Sequence, residues 1–244
     1  MNLCRRISGA LTLFALLCFG CGSSPGGPAA DAIPIDPDDI LNFEFLYAHN
    51  CAGCHGPNGE GGASVALANP LYLAIADDSI MRRVTTNGVA GTLMPAFAKS
   101  AGGMLTDQQI DVIVRGIREQ WSKPDVLHGV NAPLYSAPVG DASRGSQVFA
   151  VYCSSCHGPR GSGGPRARSI VDTSYLALVS DQALRTTVIV GIPDLGAPDW
   201  RGNVPGKAMS SQDISDVVAW LASQRTTFPG QPYLHSDNPA GEHQ

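Results

Sequence analysis

The string CAGCHGPNGEGG at residues 51 to 62 returns as CSSCHGPRGSGG at residues 153 to 164. Cys51, Cys54 and His55 are matched by Cys153, Cys156 and His157 at a shift of 102, and Gly56-Pro57, Gly59, Gly61 and Gly62 follow at the same shift. After one inserted residue the shift becomes 103 and pairs Tyr72 with Tyr175, Asp78 with Asp181, Arg82 with Arg185 and Gly88 with Gly191. A register kept over such a length marks a duplicated domain, so the chain must fold as two similar halves. Its 244 residues are enough for two small cores, and a low charged fraction of 15% with 28 Gly and 18 Pro argues for short helices joined by many irregular loops.

The helix signals recur in each half and lead to an all-α expectation. Asp36 followed by Pro37, Asp38 and Asp39 reads as an N-cap and acidic first turn for a helix running into Cys51. Asp141 opens the matching helix before Cys153. Thr106 with Gln109, and Ser210 with Asp213, read as capping boxes for a closing helix in each half. Between them lie a Gly-rich loop and one helical piece near residues 72 to 87. The expected division is a leader at 1 to 20, a tether at 21 to 35, a first domain at 36 to 122 and a linker at 123 to 140. A second domain at 141 to 227 and a tail at 228 to 244 complete it. The linker, rich in proline, reads as extended.

Arg5 and Arg6 before the apolar stretch Leu11 to Phe19 form an export signal, too short to span a bilayer comfortably. Gly20-Cys21 stands where a lipoprotein signal is cut, followed by the flexible SSPGGPAAD, so Cys21 is the expected lipidation site; a plain secretory signal cut near Ala30 to Ala32 is the alternative. Cys4 and Cys18 belong to the leader, which leaves the two repeated pairs and no cysteine for a structural disulfide network. The net charge of −5 becomes more acidic once Arg5 and Arg6 are removed, which excludes nucleic acid as an electrostatic partner and suits a basic partner patch.

A Cys-x-x-Cys-His string lets two thiols bond one porphyrin while the histidine ligates its iron. Zinc would need four ligands and each half offers three. A redox dithiol belongs at a strand-to-helix junction, which is absent, and neither Gly-rich loop ends in the Lys-Ser/Thr of a phosphate cradle. Two haems c are therefore expected, bound through Cys51, Cys54, Cys153 and Cys156, with His55 and His157 as axial ligands.

On these motifs the chain resembles the class I cytochromes c, and more closely the two-domain, dihaem cytochromes related to the haem subunits of cbb3-type oxidases, over residues 36 to 121 and 141 to 225. The resemblance implies two tandem helical domains, each around one haem, and electron transfer in the periplasm. It also implies a second axial methionine in the loop before the last helix, which GTLMPAF supplies as Met94. Met81 and Met104 read as core residues instead. In the second half Met94 aligns with Ala197, and the one methionine after His157 is Met209. Met209 is the favoured sixth ligand; His128, His235 or His243, an open iron, or a core role for Met209 are the alternatives. Arg82 and Arg185 read as propionate partners or as surface residues, and Tyr72, Tyr175, Phe97 and Trp200 as pocket walls.

The expected function is a periplasmic carrier of single electrons between a membrane respiratory or photosynthetic complex and an acceptor, lipid-tethered and possible as a subunit of that complex, rather than a stand-alone enzyme. The rival is a dihaem oxidoreductase with an open catalytic second haem acting on an inorganic sulfur compound or peroxide, although Asp194 and Asp199 form no organised acid/base pair in the sequence.

Overall fold

In the computed structural model, residues 35–62 and 64–226 are described; the leader with Cys21, and the tail with His235 and His243, lie outside them. The described residues from Asp38 onward belong to one unit. Among the described residues there are ten α-helices and, of β-structure, isolated bridges such as Ala98–Leu105 and Ile192–Ala197. The first half holds α1 (Phe43–Asn50), α2 (Ala52–His55), α3 (Pro70–Ile75), α4 (Asp78–Asn87) and α5 (Asp107–Trp121). The second repeats the order with α6 (Ala142–Tyr152), α7 (Ser154–His157), α8 (Thr173–Leu178), α9 (Asp181–Val190) and α10 (Ser211–Ala222).

Most helix starts follow the caps in the sequence. Asp141 accepts from the Ser143 and Arg144 amides, and both capping boxes, Thr106 with Gln109 and Ser210 with Asp213, are closed in both directions. The first helix differs from expectation: Pro37–Asp39 makes one 3-10 turn, and α1 begins only at Phe43, capped by Asn42, whose side chain accepts from the Phe45 amide at 2.7 Å. The Ile40 carbonyl, which a longer helix would use internally, instead accepts from Gln109 Nε2 at 3.1 Å. The helical piece expected near 72 to 87 is two helices, because Asp77 leaves helical geometry and caps α4 through the Ile80 amide at 2.8 Å.

An arginine clamps the corner between the third and fourth helices of each half. Arg118 bonds the carbonyls of Leu73 and Ala76 and reaches Asp78 at 2.6 Å. Arg225 makes the corresponding bonds to Leu176 (3.0 Å), Val179 (2.8 Å) and Asp181 (2.5 Å). These acceptors are equivalent at the 103 shift, but the arginines are not: in the closing helices a further inserted residue makes the shift 104, and Arg225 aligns there with Trp121, one turn beyond Arg118. The same site is filled from two positions of the closing helix region.

The first and last helices of each half pack where one side lacks a side chain. In the first half a Cβ on Gly116 would lie 2.1 Å from the Phe43 ring; in the second a Cβ on Gly145 would lie 1.9 Å from the Asp216 carbonyl and 2.8 Å from Trp220 Cβ. Phe43 aligns with Gly145 and Gly116 with Trp220, so the large and small residues have changed helices between the copies. Around these contacts sit Tyr47 and Trp121 (centroids 5.1 Å apart), and Phe149 and Trp220 (4.5 Å).

The linker is not uniformly extended. Its start turns, with Asp125 and His128 at positive φ, and its end is held by α9: Arg185, 5% exposed, bonds the Leu134 and Tyr135 carbonyls at 3.0 and 3.2 Å, and Gln182 bonds Tyr135 at 2.9 Å. Arg185 is thus not a surface residue; it also reaches Ser211 and Ser215 on α10. Arg82 pairs with Asp111 on α5. The two arginines have diverged: Arg185 holds the incoming linker, whereas Arg82 pairs across to the closing helix of its own half.

Asp216, fully buried in α10, accepts from the Asp141 amide and Gln212 Nε2, both at 2.8 Å. Arg144 meets its other oxygen as an ion pair without hydrogen-bond geometry. Burial opposes the charge, but these donors outweigh it and hold the carboxyl below the usual range. Its stabilising contribution is therefore complete above the unfolded carboxylate value of about 4 and is lost as pH falls through the lower folded value. Acid denaturation of the wild type should show this component and Asp216→Asn should lack it, at a cost of about 2 kcal/mol at neutral pH in urea unfolding. Gly145→Ala should cost about 3 kcal/mol, since the clash is with backbone, and Gly116→Ala less, since a ring can turn aside.

Candidate functional site

Each Cys-His string sits in a single helical turn at the end of its opening helix. The Cys51 and Cys153 amides close α1 and α6 on the Tyr47 and Phe149 carbonyls, and the His55 and His157 amides then bond the carbonyls of Cys51 and Cys153, both at 3.0 Å. This places Cys51, Cys54 and His55, and likewise Cys153, Cys156 and His157, on one short turn. The Gly-rich loop folds back over it: Gly61 N–H donates to His55 O at 2.9 Å and Gly163 N–H to His157 O at 2.8 Å. In the first half the Tyr47 hydroxyl also donates to Gly56 O at 2.9 Å, whereas the second has Phe149 there.

The loop also fixes the rings. His55 Nδ1 lies 2.8 Å from Val65 O and His157 Nδ1 3.2 Å from Arg168 O, positions equivalent at the 103 shift. A carbonyl only accepts, so Nδ1 carries the proton and Nε2 keeps its lone pair for a metal. Burial lowers the His55 pKa, against the Val65 bond, and keeps that ring neutral. These carbonyl partners escape sequence reasoning, since a backbone acceptor leaves no side-chain signature.

Cys51, Cys54, Cys153 and Cys156 are unbridged. Burial, with the neighbouring thiol adding to it, pushes Cys51 and Cys153 up to about 12. A redox dithiol needs a thiol pushed the other way, toward the thiolate, so that chemistry does not fit. Among the described residues no three His, Cys, Asp or Glu side chains come together to hold a bare ion. Two thiols and an imidazole with one oriented lone pair, all on one turn, do fit a porphyrin iron attached by thioethers.

Met94 and Ala197 occupy the same place in two matching hairpins. Val89 N–H donates to Met94 O at 3.1 Å and Ile192 N–H to Ala197 O at 3.0 Å. Gly88 (φ +67°) and Gly191 (φ +69°) lie so near these carbonyls that a Cβ would approach to 2.6 and 2.7 Å. Met94 is half-buried. Met209 is 2% exposed, in the position that Leu105 holds in the first half: Met209 N–H donates to Trp200 O at 2.9 Å as Leu105 N–H does to Phe97 O at 2.8 Å. Met81 is core, whereas Met104, expected there, is 79% exposed. Tyr72 and Trp200 are buried and Tyr175 is 39% exposed, so the aromatic walls of the halves differ. His49 bonds its own helix at Phe45 O, and His128 is exposed.

The family model described as Cytochrome C oxidase, cbb3-type, subunit III matches residues 38–115, and that of Cytochrome c matches 142–225. A cytochrome bc1 complex cytochrome c subunit of Mycobacterium tuberculosis is 23% identical, over 98% of this chain and 84% of that protein. The Azospirillum cbb3-type cytochrome c oxidase subunit CcoP is 30% identical, over 51% of this chain and 43% of that protein. A chain from the Kuenenia stuttgartiensis reducing HAO-like protein complex superposes with a TM-score of 0.39 at 16% identity, covering 75% of this chain and 96% of that one.

Tyr47→Phe copies the second half and removes one bond to Gly56; it should cost about 1 kcal/mol in urea unfolding of the first half and leave the Cys-His turn competent.

Proposed function

Because the chain belongs to the class I cytochromes c, with two such domains in tandem, we propose that it passes single electrons as a subunit or close partner of a membrane respiratory complex. The observation that carries this is the pair of matching Cys-His turns, each with its histidine oriented by a loop carbonyl. Relatives that are subunits of bc1 and cbb3 complexes support the choice of partner. When bound, haem c supplies a one-electron iron couple. The chain's part is to hold it by thioethers from Cys51 and Cys54, and from Cys153 and Cys156, with His55 and His157 as axial ligands. Met94 would complete the hold on the first haem, and its thioether would raise the potential relative to a second imidazole. The loop bonds that fix both histidines before any electron arrives keep reorganisation small.

The location proposed is the periplasmic side of a bacterial membrane, tethered by lipid on Cys21. Among the described residues no helix is long and apolar enough to cross a membrane. The acidic surface would steer a basic face of the partner, an effect on association rate that salt weakens. A photosynthetic donor in place of a respiratory one would use the same chemistry.

Solubilised gently from its native membrane, the full chain should migrate with a quinol-oxidising complex and become reduced when a quinol is supplied. A protein that migrates alone and stays oxidised would overturn the reading. Cys21→Ser should move it to the soluble periplasmic fraction; an unchanged distribution removes the anchor. Met94→Ala should abolish the methionine-to-iron charge-transfer band of the first haem and lower its midpoint potential in a redox titration, whereas an unchanged spectrum removes Met94 as ligand.

A further inference from the structure

We propose that the second half of the chain is a binding site for a small neutral diatomic ligand, of the carbon monoxide and nitric oxide class, at a haem whose sixth position no methionine of this chain fills. The inference rests on the haem attachment proposed above and turns on two residues, Ala197 and Met209.

Ala197 stands where Met94 stands, at the same carbonyl of the same hairpin, backed by the same positive-φ glycine. The scaffold that presents a thioether in the first half therefore presents a methyl group in the second, and a methyl has no lone pair to give. Met209 does not make up the loss. Its backbone is bonded to Trp200 as that of Leu105 is to Phe97, and its side chain fills the core slot of that leucine. Leucine and methionine exchange in cores at little cost, being similar in volume. Its sulfur already faces the Asn203 amide, with Nδ2 at 3.8 Å.

The space beside Ala197 is not filled by a larger neighbour. Ala197 lines a wide-open surface hollow of about 490 Å³ with Pro193, Pro198, Asp199 and Arg201, so no side chain closes over its methyl group there. The chemistry of that wall selects a neutral guest. Asp199 and Arg201 bond each other, Nη2 to Oδ2 at 2.6 Å and Nε to Oδ1 at 3.1 Å, and Arg201 stacks on Trp200 at 4.6 Å. Burial opposes the Asp199 charge, but the Arg201 bonds outweigh it and keep the carboxylate ionised below the usual range. The pair is internally neutral, so it offers neither a cation for an anionic ligand nor an acid for proton transfer.

The test uses the full haem-loaded protein, reduced with dithionite and titrated with carbon monoxide while the visible spectrum is followed. One carbon monoxide per chain is expected, together with the charge-transfer band of one thioether in the oxidised form. Met209→Leu should leave both unchanged, and Ala197→Met should abolish carbon monoxide binding and add a second thioether band. A wild type that binds none, or Met209→Leu that creates a binding site, overturns the proposal. Uptake of two per chain keeps the second site open and removes Met94 instead. Counting haems that stay attached in denaturant checks the attachment separately, so failure of the haem reading is distinguishable from a second iron that is simply filled. If Ala197→Met does not fold, the wild-type stoichiometry and Met209→Leu still decide.

Discussion

Each half of this protein is closed by the contact between its first and last helices, and that contact exists only because one partner at the closest point has no side chain. Gly116 admits the Phe43 ring, and Gly145 admits the α10 backbone itself. Close packing leaves no room for both helices to carry a side chain at such a point. Everything functional hangs from it. The opening helix ends in the Cys-His turn, and the closing helix begins at the capping box that follows the Met94 or Ala197 hairpin. Fixing the two helices against each other thus sets both ends of the haem-bearing segment.

The two copies show which parts of such a domain tolerate change. The glycine has moved from the closing to the opening helix with the aromatic moving the other way, since the requirement is a pair of complementary shapes rather than a residue at a position. The corner clamp behaves likewise: what matters is a guanidinium reaching two carbonyls and a carboxylate, and Arg118 and Arg225 reach them from positions a turn apart. By contrast, the loop carbonyl facing each histidine has stayed in register, because ligand orientation allows little displacement.

One divergence of the second half falls where electronic properties are set, and others add polar anchors to its frame. The hairpin backbone around Ala197 is retained while the donor atom is gone, and the pairing of buried Asp216 with half-exposed Arg144, together with the Arg185 lock on the linker, has no counterpart among the described residues of the first half. On the proposal of an open second haem, the second domain keeps the frame of its twin and takes a different role. In an electron-transfer chain the two haems would then differ in potential and accessibility, with the first suited to passing electrons and the second to responding to what binds it.

The duplication, the all-helical class, the Cys-His strings, three of the four opening and closing caps and the methionine gap at Ala197 were legible in the amino-acid order, because each depends on residues close together in the chain or on a repeat that exposes itself. The start of α1 was not, since Asp36 and Asn42 are both good caps and the choice fell to Gln109, far along the sequence, which takes the Ile40 carbonyl. Nor were the roles of Arg185, Arg225 and Asp216, whose partners are backbone groups or residues many positions away. Met209 is the sharpest instance. Its sequence marks it as the single remaining methionine for the second haem, while the fold sets it in the slot of Leu105 with its sulfur toward Asn203. Composition and spacing determine which atoms a chain has to offer; where a side chain points is decided by long-range packing, and that is a property of the folded molecule alone.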